Sequence, residues 1–337
     1  MAFNNTTNVC VYIHLKGELI MKILVTELMW KDGREDLKAK GHDVDYDMEL
    51  SRKRTELIQL LPNYDAVIVR NETKVDQEFL EAAKKTQVIG RLGVGLDNID
   101  LKSSSEHGIP VVSARNANAT SVAEYVMAAM LDASRPLNQA NEDVRKGNWN
   151  RKFFTGIELN NRILGLIGMG EISHRVAKRA QAFGMKVVGY DPFVAPFDHI
   201  VQETGIQQAT TIEEVLEISD FISIHIPLTK DTKYLLNEKA FKKMKSKAFV
   251  INSARGGIVH EMDLVKAIKK KRIAGAYLDV LEKEPVEKES SLLETEGLIL
   301  TPHIAGLTDE SQSRTAMLIS EEIDRVLNGG NSLCQVN

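Results

Sequence analysis

From Met21 onward, short apolar runs alternate with charged stretches of helical spacing. Residues 23–25, 66–69, 88–89 and 109–112 are compact apolar runs, and the charged segments 34–40, 51–61 and 76–84 lie between them. Runs that are apolar at successive positions mark strands buried on both faces, and strands that alternate with helices build a parallel sheet. The pattern predicts a first βαβ lobe. Val122, Ala123, Val126, Met127, Met130 and Leu131 then recur at helical spacing, with no Gly or Pro before Pro136. This predicts a long helix, read as a spine joining two lobes. Residues 138–150 are polar and end in Gly147-Asn148-Trp149, which reads as a surface turn. Six further strands are predicted at 163–167, 186–190, 221–226, 248–251, 274–280 and 298–300, separated by helices such as 171–183 and 260–271. A last helix carries Ala316, Ile319, Ile323, Val326 and Leu327 on one side. It is expected to cross back to the first lobe, which is then built from both ends of the chain.

Composition narrows the class. At roughly 100–200 residues per domain, 337 residues make two domains. The formal charge of −4 argues against a nucleic-acid partner, which needs a basic face. No uncharged apolar run reaches the ~20 residues of a membrane helix, so no membrane is expected. The two cysteines, Cys10 and Cys334, form neither a disulfide framework nor a zinc pattern, and they fit a reducing cytoplasm. Residues 1–20 contain no basic leader and too short an apolar patch for a signal peptide; they read as an extension that adds nothing to function.

The candidate chemistry starts at residues 165–173, Gly-Leu-Ile-Gly-Met-Gly-Glu-Ile-Ser. Gly168 and Gly170 follow a predicted strand and open a helix, the placement a dinucleotide turn requires. Gly168 permits the tight turn, and Gly170 lets the backbone approach a pyrophosphate. The N–H groups of Glu171 and Ile172 face that anion at the positive end of the helix. The third position of the motif holds Ser173 in place of Gly, which a small side chain approximates. Asp191 ends the next strand, 21 residues after Gly170, where an acid accepts hydrogen bonds from ribose hydroxyls. Its charge repels a 2′-phosphate, which favours NAD over NADP. A plain βα turn capped by Asp191 is the alternative.

Three polar groups follow predicted strands: Arg255 in Asn252-Ser253-Ala254-Arg255-Gly256, Glu284 in Leu281-Glu282-Lys283-Glu284-Pro285, and His303 in Thr301-Pro302-His303-Ile304. Ligands of open α/β sheets bind outside the carboxyl ends of strands, so these groups are expected to converge. Arg255 offers a planar fork for a carboxylate and carbonyl. His303 exchanges a proton at the reacting oxygen, and Glu284 holds the imidazole and favours its charged form. His225 also follows a strand and is the rival proton carrier, although a role in shaping the cofactor loop suits it better. The histidines show no H-E-x-x-H spacing, so no metal site is expected.

These motifs, with Gly90-Arg91-Leu92-Gly93-Val94-Gly95-Leu96-Asp97-Asn98-Ile99-Asp100, resemble the D-2-hydroxyacid dehydrogenase family over nearly everything after Met21, particularly its phosphoglycerate-dehydrogenase-like branch. The resemblance implies an α/β fold of two Rossmann-like or flavodoxin-like lobes. A substrate-binding domain of residues 21–117 and 305–337 then holds an inserted NAD-binding domain of residues 118–304. The catalytic residues implied are Arg255, Glu284 and His303. The substrate-carboxylate loop falls on Leu92-Gly93-Val94-Gly95, whose N–H groups make an anion nest. Cofactor contacts fall on Gly168, Gly170, Glu171, Ile172, Asp191, Ile226, Ser253, Ala254, Arg255, Asp279, His303 and Gly306. The implied reaction passes a hydride between NAD(H) and C2 of a small D-2-hydroxy or 2-oxo acid. A homodimer is implied, with Trp149, Phe153 and Phe154 as a contact. The chain stops at Asn337, so the C-terminal regulatory domain of some relatives is not expected.

Arg70, at a predicted strand end, and Arg91 are read as contacts for a second anionic group on the substrate, as in 3-phosphoglycerate. Sulfolactate carries a similar tetrahedral anion. Hydroxypyruvate or glyoxylate becomes the alternative if these arginines point elsewhere. NADH-sensing corepressors share the fold and supply an alternative of another class, without turnover.

Overall fold

The structure, a computed structural model, describes residues 20–337. The expected extension, apart from Ile20, and Cys10 lie outside the described residues. These form two compact units, 20–114 with 316–337, and 115–315. The second joint falls inside the helix Asp309–Leu327, later than the expected 304/305, because that helix runs unbroken from one unit into the other. The long helix Ala119–Ser134 lies wholly within the second unit, where it packs on the helix Glu171–Ala182, and is not a shared spine.

The first unit is a five-stranded parallel sheet of β1 (Lys22–Val25), β2 (Asp43–Tyr46), β3 (Ala66–Val69), β4 (Val88–Arg91) and β5 (Val111–Ser113). Its order is β2-β1-β3-β4-β5, the doubly wound flavodoxin-like arrangement. Three of the strands, β3, β4 and β5, are buried at every position; β3 is apolar throughout, while β4 and β5 end in the buried polar residues Arg91 and Ser113. The edge strand β2 escapes a reading of the sequence because it carries Val44 and Tyr46 between aspartates and has no apolar run. The expected helix 51–61 is shorter, Arg54–Leu60, since Pro62 tightens the chain into a 3₁₀ turn at Leu61–Asn63. The other edge is covered: Val112 bridges Gln335, and Ser113 N donates to Cys334 O at 3.0 Å.

The second unit is a seven-stranded parallel sheet of β6 (Ile163–Ile167), β7 (Lys186–Tyr190), β8 (Gln207–Gln208), β9 (Phe221–Ile224), β10 (Phe249–Asn252), β11 (Gly275–Leu278) and β12 (Leu298–Leu300). The order is β12-β11-β10-β9-β6-β7-β8. The chain thus enters in mid-sheet, winds outward through β7 and β8, then returns to lay β9 on the other side of β6. Strand β8 is not among the six expected; two glutamines carry no apolar signal. Residues 138–150, read as a surface turn, contain most of the helix Leu137–Arg145. None of its residues is buried, and Asp143 ties it to the following turn by accepting from Asn148 Nδ2 and Asn150 Nδ2.

The C-terminal helix packs on the first unit at two glycines, one on the helix Lys31–Ala39 and one on β4. A Cβ at Gly33 would lie 2.4 Å from the carbonyl oxygen of Ala316, and one at Gly90 would lie 2.7 Å from Ile319 Cγ2. Gly33 sits within the helix Lys31–Ala39, where alanine alone would gain about 1 kcal/mol of propensity. The clash is with backbone, which cannot swing aside. Gly33→Ala is therefore expected to destabilise the chain by a net ~1–3 kcal/mol. Urea denaturation reads this, and an unchanged or raised midpoint contradicts the seating of the helix.

Candidate active site

In open α/β sheets, ligands bind outside the carboxyl ends of strands where the winding reverses. In the second unit that point lies between β6 and β9. After β6, Gly168 takes φ +90°, and a Cβ there would lie 2.4 Å from His225 O beyond β9 and 2.7 Å from Ile226 Cγ2. Only glycine permits that approach. A Cβ on Gly170 would stand in open space at the start of the helix Glu171–Ala182, whose first N–H groups are the donors an anion needs. Ser173, buried, donates from Oγ to Gly168 O at 2.7 Å. The departure from a third glycine thus replaces close packing with a hydrogen bond across the turn.

Asp191, at the end of β7, accepts from Met169 N within the glycine turn and from Phe193 N, each at 2.9 Å. Each carboxylate oxygen has more than one acceptor site, so capacity remains for ribose hydroxyls. Ser253 has a buried Oγ with no partner among the described residues, as does Asn118 Oδ1. Asn118 lies against Gly306, where a Cβ would come 2.8 Å from its Nδ2. Orphaned buried polar atoms in the same unit as the glycine turn fit a polar ligand such as a dinucleotide.

The two residues expected to handle the proton are hydrogen-bonded to each other. His303 Nδ1 and Glu284 Oε2 are 2.9 Å apart, and Glu284 Oε1 accepts from Leu281 N at 2.9 Å. Burial pushes the Glu284 carboxyl up, but the His303 hydrogen bond, the Leu281 N–H and the charges of His303 and Arg255 outweigh it, so it stays below its ordinary value. Glu284 is therefore ionised at neutral pH. His303 itself sits at φ +56°. Its loop is fixed by Asp279, buried, which accepts from Thr301 Oγ1 at 2.6 Å, Ile304 N at 2.8 Å and Ala305 N at 2.7 Å. Expected as a cofactor contact, Asp279 commits both oxygens to this loop. The Arg255 loop packs on the Glu284 loop: a Cβ at Gly256 would meet Leu281 O at 1.9 Å. Arg255 Nη1 donates to Ala254 O at 2.6 Å. His225 hydrogen-bonds Ser223 Oγ at 2.9 Å, and desolvation pushes its imidazole down to about 3. It is neutral at pH 7 and holds no proton to donate as an imidazolium.

In the first unit, the expected anion nest is partly committed. Leu92 N donates to Val69 O at 2.9 Å and Gly93 N to Arg91 O at 2.8 Å, which leaves Val94 and Gly95 as the N–H donors of that loop. Arg91 is buried, its Nη1 donates to Leu92 O at 2.7 Å, and a Cβ on Gly93 would lie 2.2 Å from that nitrogen. Arg70 is half-buried, with Nη1 3.4 Å from Leu28 O. The sequence reading misses the group that fixes this loop. Glu27, buried after β1, accepts from the N–H groups of Arg70, Asn71, Glu72 and Thr73 at 2.8–3.1 Å. From the other side, Asn98 Nδ2 donates to the carbonyls of Arg70 and Thr73.

Fold and glycine turn together define a nicotinamide-dinucleotide-binding α/β protein. Residues 127–305, just over half of the chain, match the family model "D-isomer specific 2-hydroxyacid dehydrogenase, NAD binding domain". The chain belongs to the D-isomer-specific 2-hydroxyacid dehydrogenase family, and this part of it is the family's nicotinamide-dinucleotide-binding domain. It is 42% identical over 309 residues to the D-3-phosphoglycerate dehydrogenase of Archaeoglobus fulgidus, across 92% of this chain and 58% of that protein's length. It therefore spans little more than half of that curated relative. Among solved structures it is similar to a protein from Thermus thermophilus, with TM-score 0.87 and 31% identity over 94% of this chain and all of the other. It is also similar to a glyoxylate reductase from Paecilomyes thermophila, with TM-score 0.83 and 28% identity over 94% and 98% of the two chains.

Burial alone would push the Glu27 carboxyl up; the N–H donors of Glu72, Thr73 and Arg70 outweigh it and hold it below its ordinary 4.5. A depressed folded-state value stabilises the fold fully above about pH 4.5 and ceases to do so as pH falls through that value. Glu27→Gln places an amide N–H₂ against backbone N–H groups and is expected to cost about 1–3 kcal/mol at pH 7. The gap to wild type should narrow in acid. Urea midpoints at pH 7 and pH 4 check this, and a gap independent of pH contradicts it.

Proposed function

We propose that the protein is an NAD-dependent oxidoreductase of D-2-hydroxy acids, acting at C2 of a small substrate with a second anionic group, of the 3-phosphoglycerate kind. The observation that carries the reading is the Glu284–His303 hydrogen bond, in the same unit as a dinucleotide-type glycine turn. NAD, when bound, accepts the hydride from C2 or returns it. His303, held at Nδ1 by Glu284, takes the hydroxyl proton at Nε2 in oxidation and gives it back in reduction. Arg255 supplies the guanidinium for the carboxylate and the reacting oxygen. Gly168, Gly170, Glu171 and Ile172 form the diphosphate turn, and Asp191 holds the adenosine ribose and disfavours NADP. Ile226, Ser253, Ala254, Asp279 and Gly306 are assigned to the cofactor side, with Asp279 acting through the His303 loop. In the first unit, Leu92, Gly93, Val94 and Gly95 form the carboxylate loop, with Val94 and Gly95 as its donors. Arg70 and Arg91 are assigned to the distal anion.

A second reading, a hydroxypyruvate or glyoxylate reductase, gains support from the engagement of Arg91 with Leu92 O and from the similarity to a glyoxylate reductase. A sulfolactate dehydrogenase has the same anion chemistry as the main reading. A NADH-sensing corepressor predicts binding without turnover. We place the enzyme in the cytoplasm, as a homodimer without nucleic-acid or membrane partners. Among the described residues no helix is long and apolar enough to cross a membrane. Trp149 and Phe153, 75% and 79% exposed, offer an aromatic contact for a second copy, beside Phe154.

A panel of 3-phosphoglycerate, sulfolactate, hydroxypyruvate and glyoxylate with each nicotinamide tests the substrate and Asp191 together. Turnover with NADH and a preference for the doubly anionic acids are expected; faster use of NADPH contradicts the role of Asp191. His303→Ala should lower kcat by about 100- to 10,000-fold while NADH fluorescence titration is unchanged. Retained kcat removes His303 from the reaction. Light scattering is expected to give a dimer mass, and Trp149→Ala with Phe153→Ala should shift it toward the monomer; an unshifted dimer places the interface elsewhere.

A further inference from the structure

Away from the His303 pair, two helices of the second unit bring metal-ligating side chains together. Glu171 and His174 stand at i and i+3 on the helix Glu171–Ala182, and so share one face. His199 begins the helix His199–Thr204. One donor atom from each of the three lies within 4.8 Å of the other two, and the two imidazoles meet edge to face with centroids 5.4 Å apart. Glu203, four residues after His199, reaches the cluster with Oε2 3.4 Å from His174 Nε2. That nitrogen is buried and makes no hydrogen bond among the described residues. A buried nitrogen with a lone pair or proton to place, facing a carboxylate and a second imidazole, calls for a partner.

We propose that Glu171, His174 and His199 form a binding site for a late first-row divalent cation, represented by Zn²⁺. Two imidazoles and a carboxylate suit this class of ion, while oxygen-seeking Mg²⁺ and Ca²⁺ prefer all-oxygen shells. Zinc bonds of about 2.0–2.2 Å bring tetrahedral donors to about 3.4 Å from one another, so side-chain rotation within the present spread closes the site. Two cations oppose the ion. Arg175 Nη2 lies 2.6 Å from Glu171 Oε1, and Lys178 Nζ lies 3.4 Å from Glu203 Oε2. The first occupies one oxygen of a bidentate group. The second holds Glu203 beside the three ligands, and the two cations together set the affinity below that of closed structural zinc sites. H-E-x-x-H spacing could not reveal this cluster, because its donors come from two separate helices. Occupancy would tie the segment that follows Asp191 to the helix Glu171–Ala182, and it does not depend on the proposed reaction.

Titration of the full-length, tag-free protein with ZnCl₂ by calorimetry, paired with thermal unfolding, tests the site. Wild type should bind one Zn²⁺ per chain and unfold at a higher temperature with it. His174→Ala and His199→Ala should each lose both responses, and Glu203→Gln should weaken binding less than either. His199 is exposed, so its variant keeps the test open if His174→Ala folds poorly. No binding overturns the proposal. So does binding that both histidine variants retain, since the ion then sits elsewhere.

Discussion

A carboxylate at the end of one strand, gripping the backbone of the loop beyond a neighbouring strand, is the constraint on which both units depend. Asp279, just past β11, accepts N–H groups from the loop beyond β12 and so presents His303. Asp191, just past β7, accepts Met169 N in the glycine turn beyond β6. Glu27, just past β1, accepts four N–H groups beyond β3. In each case the two strands are neighbours in the sheet. Loop backbone outside a sheet has donors without acceptors, and one ionised oxygen pair satisfies several with stronger, charge-assisted bonds. The opposite ends follow the same rule. Asp65 before β3 accepts Lys22 N at the start of β1, and Asp220 before β9 accepts Ile163 N at the start of β6. Both pairs flank the place where the winding reverses.

This explains which parts of the molecule are legible in its sequence. A strand such as 66–69 is buried at every position, and 163–167 at all but its first, so the residues report one environment and the run reads unambiguously. The edge strands β2 and β8 bury little, and nothing in Asp43–Tyr46 or Gln207–Gln208 distinguishes them from loop. The helix Leu137–Arg145 buries no residue and reads as polar surface for the same reason. The candidate site residues at strand ends stand out because their chemistry is unusual for their neighbourhood: a histidine after Thr-Pro, an arginine between small residues. Glu27 does not, since a single acid between a strand and the next helix looks like ordinary loop surface. Its role exists only once β1 and β3 are side by side, a relation between residues more than forty positions apart.

The same distinction separates spacing from proximity at the helix Glu171–Ala182. Its backbone end is read directly from Gly168, Gly170 and the strand before them, because the N–H donors belong to consecutive residues. Its side chains face a helix that starts at His199, and their pairing depends on how the chain returns after β7. Ser173 shows how tightly the two levels are joined. Its Oγ closes onto Gly168 O from within the helix, so the residue that departs from the glycine pattern braces the turn that the pattern serves. A glycine there would leave that carbonyl without its donor, and an alanine would keep the volume but lose the bond. The tolerance of the motif at its third position therefore follows from what the side chain can donate as well as from its size.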